Sequence, residues 1–154
     1  MKSCARLAMI LFLSSEVMLF GSLFAVLIAL EAGNPGFHRE ARHLNFWSGF
    51  TATALLLFSS ALIHYNRIIT FLLAAAFLIL KGFTWNKLCQ LGLLPSSSNF
   101  WGMFFLMTGL HALHLVGGMA ALFFRPGQRS PALELYWHFV DLVWITLFVA
   151  FYVI

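Results

Sequence analysis

The chain has 154 residues, 62% of them hydrophobic and only 9% charged, far from the roughly 25% charged residues of a soluble domain. That balance excludes a water-exposed surface and puts the chain in lipid as a single domain, because packed transmembrane helices need all-round hydrophobicity. The net charge of +4 comes from Lys and Arg scattered at segment ends, without a basic stripe or aromatic-interleaved patch, which argues against a nucleic-acid partner.

In chain order, the first apolar run covers residues 7–30. Met1-Lys2-Ser3-Cys4-Ala5-Arg6 and the apolar residues 7–13 have the two leading regions of a signal peptide, with Ser14-Ser15 in the place of a cleavage site. Apolar residues resume at Val17, however, and a stretch of about 24 residues at 1.5 Å per residue crosses a hydrocarbon core about 30 Å thick, so an uncleaved span is expected. Four further runs cover residues 46–65, 68–88, 100–124 and 133–154. Residues 31–45 (with Asn34-Pro35-Gly36), 66–67, 92–99 (with Pro95-Ser96-Ser97-Ser98) and 125–131 read as turns. Asn99 is expected to cap the fourth span. Backbone groups in lipid must satisfy one another, and strand-like alternation is absent, so the fold class is all-α: a five-transmembrane-helix bundle.

Lys and Arg set the orientation. Lys2, Arg6, Arg67, Arg125 and Arg129 fall on the amino-terminal side, and Arg39, Arg42, Lys81 and Lys87 fall opposite. Lys81 lies within the third span and is expected to snorkel, which leaves a bias toward a cytoplasmic amino terminus and an external carboxyl terminus. Trp85, Trp101 and Tyr136-Trp137 fall near span ends, where an aromatic belt would sit.

Polar groups at membrane depth cost about 2.5–3.5 kcal/mol each on insertion scales, so they carry the information. Glu16 lies mid-way in the first span and requires a proton, a hydrogen bond or a partner chain. His111 and His114, three apart on the fourth span, project from one face as interhelical hydrogen-bonding groups or a metal pair, beside the small-residue spacing Gly117-x-x-x-Ala121. His138 and Asp141 on the fifth span are placed to pair with each other or with the fourth, and Glu134 lies one turn earlier. His64 sits at the end of the second span, near water. Cys4 and Cys89 have no disulfide or ligand spacing. Two alternatives stay open: a small b-type cytochrome on His111, His114 or His138, and a proton-coupled carrier titrating at Glu16.

Thr108-Gly109-Leu110-His111-Ala112-Leu113-His114-Leu115-Val116-Gly117-Gly118 and Tyr136-Trp137-His138-Phe139-Val140-Asp141-Leu142-Val143-Trp144 resemble the last two helices of subunit III of the haem–copper oxidases. Ser15-Glu16-Val17 followed by an apolar run resembles that family's buried-glutamate helix. The resemblance implies the later five of seven helices, as in short bacterial forms found in quinol oxidases and beside nitric oxide reductases. It departs at Lys81-Gly82-Phe83-Thr84-Trp85, where the family often carries an acid before an aromatic. It further implies an accessory subunit of a haem–copper oxidase or nitric oxide reductase in a bacterial inner membrane, with no cofactor in this chain. Haem and possibly copper would be held by the partner, catalytic subunit I. Phospholipid would bind, proton uptake would be supported, and Glu16, His111, His114, His138 and Asp141 would serve as lipid-adjacent, subunit-interface or helix-tethering groups.

Overall fold

The computed structural model describes residues 2–34, 36–124 and 131–153, with side chains from Leu7 onward. Pro35, Arg125, Arg129 and Ile154, and the side chains of Lys2, Cys4 and Arg6, on which some expectations fell, lie outside the described residues. Six α-helices follow one another: α1 (Lys2–Gly33), α2 (Phe37–Ala41), α3 (Phe46–Leu62), α4 (Arg67–Gln90), α5 (Asn99–Phe124) and α6 (Pro131–Phe148), the last continued by a π-helical turn, Val149–Val153. Leu7–Gly33, Arg67–Gln90, Asn99–Phe124 and Pro131–Val153 are long and apolar enough to cross a membrane. The 17-residue α3 is the shorter apolar fifth. The expected helical bundle is therefore present, with α2 added inside the segment read as a turn. Phe37 gives α2 its anchor, buried against the Phe100 ring at 4.8 Å.

Local chemistry sets the helix boundaries. Asn45 accepts from the backbone of Trp47, and Asn66 from Ile68 and Ile69, so two of the orphan amino-terminal ends are capped by side chains. At α5 the cap is Ser98, not Asn99: the Ser98 hydroxyl accepts from Trp101 N at 3.3 Å, and Asn99 is already helical. Ser98 also donates to Glu40, tying α2 to the start of α5. Ser14 and Ser15 do not interrupt α1, because their hydroxyls bond back to the carbonyls of Ile10 and Phe12.

Helices α3 and α4 form one antiparallel pair and α5 and α6 another, with α6 also lying against α3 and α4 against α5; α1 packs on the α5–α6 side. The inner face of α3 is small: Gly49, Ala52, Leu56, Ser59 and Ser60 are buried. Facing it, α4 buries Thr70, Ala74, Phe77, Lys81 and Leu88, at three- and four-residue spacing and its multiple. Helix α6 packs tightly on α5 at Gly118, where an added Cβ would lie 3.1 Å from ring atoms of Trp137 and of Tyr136. Gly117, the glycine of the expected small-residue spacing, lies further off, its Cβ position 3.8 Å from the Tyr136 hydroxyl. Trp101 and Trp137 are turned into the core rather than toward a lipid interface, whereas Trp47 is 70% exposed.

Gly118→Val should destabilise the bundle by about 1–3 kcal/mol, the scale of an overpacked core, seen as a lowered thermal midpoint in detergent by circular dichroism. Gly82→Ala, whose Cβ meets nothing within 4 Å, should preserve or raise that midpoint.

Candidate functional site

The polar groups of the spans gather in three places. The first joins α1 to α5 and α6. Phe12, Glu16 and Phe20 recur every four residues and so share one face of α1. Phe12 meets the Tyr136 ring at 6.1 Å and Phe20 meets the His114 ring edge-on at 5.6 Å. Between them, Glu16 Oε2 lies 2.8 Å from His114 Nε2, with both side chains largely covered. The contact has the distance of an ion pair but does not meet the geometry of a hydrogen bond. The other ring nitrogen, Nδ1, is 2.7 Å from the Leu110 carbonyl. A carbonyl only accepts, so Nδ1 carries a proton. The Glu16–His114 approach then requires one further proton, held as a carboxylic acid against a neutral imidazole or as a carboxylate against an imidazolium. The Tyr136 hydroxyl closes the cluster by donating to the His114 carbonyl at 2.7 Å.

A second place is the seam of α3 with α6 and α4. His138 Nδ1 lies 2.7 Å from Ser60 Oγ, and Trp137 Nε1 donates to Ser59 Oγ at 3.2 Å. Ser59 and Thr70 exchange hydroxyl-to-carbonyl contacts at 3.4 and 3.3 Å. Further along, Trp144 Nε1 donates to Thr53 at 3.0 Å. Where α3 ends and α6 begins, His64 Nδ1 approaches Glu134 Oε1 at 3.4 Å. Asp141 is 5% exposed on the same seam, and neither carboxyl oxygen closes a hydrogen bond among the described residues. The placement expected to pair it with His138 is not used: His138 turns to Ser60.

The third place lies between α4, α5 and α6. Lys81 does not snorkel. It is 5% exposed, donates from Nζ to the Tyr152 hydroxyl at 2.9 Å, and lies 4.1 Å from the centroid of a Trp144 ring and 4.8 Å from that of Tyr152. The amine so held exchanges water for aromatic faces and one hydroxyl. His111 is 1% exposed, packed between Phe77 and Trp144, with neither ring nitrogen hydrogen-bonded among the described residues. Hence His111 and His114 face different neighbours, Trp144 and Glu16. Three residues along a helix are 300° of rotation, and the remaining 60° is enough to divide them between two interfaces.

Lys81 and Ser60 are the residues that sequence reasoning missed as inward-facing groups. A signal was present for Lys81: Thr70, Ala74, Phe77 and Lys81 lie on one helical stripe. Among the described residues no group of three or more His, Cys, Asp or Glu converges as a metal site would require.

No family model matches the chain. It is 33% identical to cytochrome c oxidase subunit 3 of Corynebacterium diphtheriae, across 94% of this chain and 85% of that one. It is also 33% identical to a probable cytochrome c oxidase subunit 3 of Nocardia farcinica, across 93% and 84%. The cytochrome c oxidase subunit 3 of Bacillus subtilis is 32% identical across 92% and 82%. With that identity sustained over nearly its whole length, this multi-pass helical chain belongs to the cytochrome c oxidase subunit 3 family.

Proposed function

We propose that the chain is a non-catalytic accessory subunit of a respiratory haem–copper oxidase, seated in a bacterial cytoplasmic membrane against catalytic subunit I, which carries the haem and copper. The observation that supports this most is the 33% identity to an oxidase subunit 3 over 94% of the chain. The geometry supports it in a second way. Most of the intramembrane polar groups meet other residues of the same chain: Glu16 meets His114, His138 meets Ser60 and Lys81 meets Tyr152. The outward faces of α1 and α4 carry large apolar side chains, among them Met18, Ile28, Leu72 and Phe83. Such a chain meets lipid or another membrane protein through apolar packing and small-residue approach.

In this reading Glu16 and His114 tether α1, the most lipid-exposed long helix, to the bundle. Phospholipid lies against the outer side of α1, and the amino-terminal side of the bundle faces the cytoplasm, where an oxidase takes up protons. The names of the relatives specify cytochrome c for those enzymes, and we extend that donor to the complex of this chain in preference to quinol or to a nitric oxide reductase partner.

Affinity purification of the tagged chain from its own membranes should bring down a haem-bearing polypeptide with oxygen-consuming activity, while the chain expressed alone should be colourless. A Soret band in the isolated chain, lost on substitution of His111 or His114, would contradict the proposal and establish a b-type cytochrome. Proton-dependent solute flux into liposomes containing only this chain would instead establish a carrier.

Glu16→Ala leaves His114 Nε2 unpartnered and should cost about 1–3 kcal/mol. That loss should appear as weaker recovery of the complex and faster decline of activity during turnover. Glu16→Gln, which still supplies a hydrogen-bond donor, should give nearly unchanged initial turnover; immediate loss of all activity in Glu16→Gln would contradict a tethering role.

A further inference from the structure

Helix α6 ends in a turn of a different kind. Val149–Val153 is π-helical, with backbone bonds that span five residues instead of four, so the turn holds more residues than an α-helical one; such turns are rare and concentrate at functional positions. Three sets of contacts surround it. Phe151 is fully buried against Phe100 and Phe104 of α5, with ring centroids at 5.7 and 5.3 Å. Tyr152 reaches α4, where its hydroxyl accepts from Lys81 Nζ at 2.9 Å. The rings of Phe148 and Tyr152 stack at 5.6 Å and fill the space before Gly49 of α3, where an added Cβ would lie 2.8 Å from Phe148 Cε2 and 2.7 Å from Tyr152 Cδ1.

Lys81 and the turn depend on each other. Lys81 is 5% exposed, no carboxylate lies within ion-pair distance of it, and Tyr152 is its only hydrogen-bond partner among the described residues. Were the tyrosine to turn away, the amine would be left unsatisfied in an apolar interior. An α-helical continuation of α6 would do that, carrying Tyr152 round the axis by up to roughly 100°, the step of one residue. Gly49 makes the other half of the arrangement, because without a side chain it lets both rings lie on α3 at once. Val149 and Val153, by contrast, are 46% and 57% exposed, so the register of the turn decides which side chains the end of α6 shows at the bundle surface.

We infer that the end of α6 is a two-position latch set by Lys81. With the Lys81–Tyr152 bond made, the last residues are held as a π-turn seated on Gly49. With the bond broken, the turn closes to α-helix, Tyr152 leaves its seat, and Val153 rotates by one residue's step. A buried amine on α4 thereby governs the outward face at the carboxyl-terminal end of a different helix. The inference stands on the contacts among α3, α4 and α6 and is independent of the accessory-subunit reading, so either can fail without the other.

The test is a distance measurement by double electron–electron resonance on the full chain in lipid nanodiscs. Cys4→Ser and Cys89→Ser remove the native thiols, and nitroxide labels are carried on Gln90→Cys and Val153→Cys, both exposed positions, on α4 and on the turn. Tyr152→Phe, which keeps the ring and removes the hydroxyl, should change the distance between the labels by roughly 5 Å, the displacement that one residue's rotation gives a side chain on a helix about 10–12 Å across. Lys81→Met should produce the same new distance, and so should Gly49→Ala, whose methyl group takes the seat of the rings. Lys87→Met, which alters an exposed lysine of the same helix, should leave the distance as it is in the unaltered chain. An unchanged distance in Tyr152→Phe or in Lys81→Met, with helical circular dichroism intact, would overturn the inference, as would an equal shift in Lys87→Met. Tyr152→Phe keeps the packed volume of the ring, so it decides the matter even if Gly49→Ala does not fold.

Discussion

Inside a bilayer no water is available to finish a hydrogen bond, so a polar side chain on one helix is tolerable chiefly where another helix presents its complement. Helix α1 shows how far one such contact reaches. Most of its large apolar side chains face outward, and its docking face is narrow: Phe12 on Tyr136, Glu16 on His114, Phe20 on His114, then Leu27. Apolar packing alone does little to hold a helix that lipid would cover equally well. The 2.8 Å approach of Glu16 to His114 supplies a polar contact that packing lacks, and His114 is fixed in turn by the Leu110 carbonyl at its ring and by the Tyr136 hydroxyl, which donates to the His114 carbonyl.

The same constraint explains why α3 is built from small and hydroxyl-bearing residues. Ser48, Thr53, Ser59 and Ser60 let neighbouring backbones come close, and they also receive or pass hydrogen bonds to Thr84, Trp144, Trp137 and His138. Tryptophans that would otherwise seek a membrane interface can then sit in the core with their indole N–H groups bonded. Lys81 follows another route, exchanging water for Trp144, Tyr152 and the Tyr152 hydroxyl. A chain that settles its polar groups in this way presents mostly apolar flanks outward, which suits a member of the cytochrome c oxidase subunit 3 family working as a partner to a catalytic subunit.

The bundle was legible in the sequence because span length and hydropathy are properties of each segment alone. The helix ends were less so: α1 and α4 run two or three residues further than the apolar runs at their carboxyl ends, since helical hydrogen bonding does not stop where hydropathy falls. Ser98 and Asn99 are both capping residues, and only the chain's path shows that Ser98 takes the role. Side-chain direction was the least legible. His111 and His114 look equivalent in the letters, yet one meets Trp144 and the other Glu16, because a 60° difference decides which neighbouring helix is met. Lys81 read as a snorkelling cation by residue type, although its place on the Thr70, Ala74, Phe77 stripe pointed inward. Asp141 and His138 had the spacing to pair, but Ser60, which no local pattern marks, stands where it engages His138 instead.

Glu16 and His114 close on each other within this chain at 2.8 Å, and α1 depends on that contact for its place in the bundle. Solid-state nitrogen NMR of the histidine-labelled protein in lipid bilayers would report this contact. The expected spectrum has a protonated, hydrogen-bonded Nδ1 at His114 and an Nε2 signal that shifts on Glu16→Gln while the signals of His111 and His138 stay in place. An Nε2 signal indifferent to that substitution would contradict it.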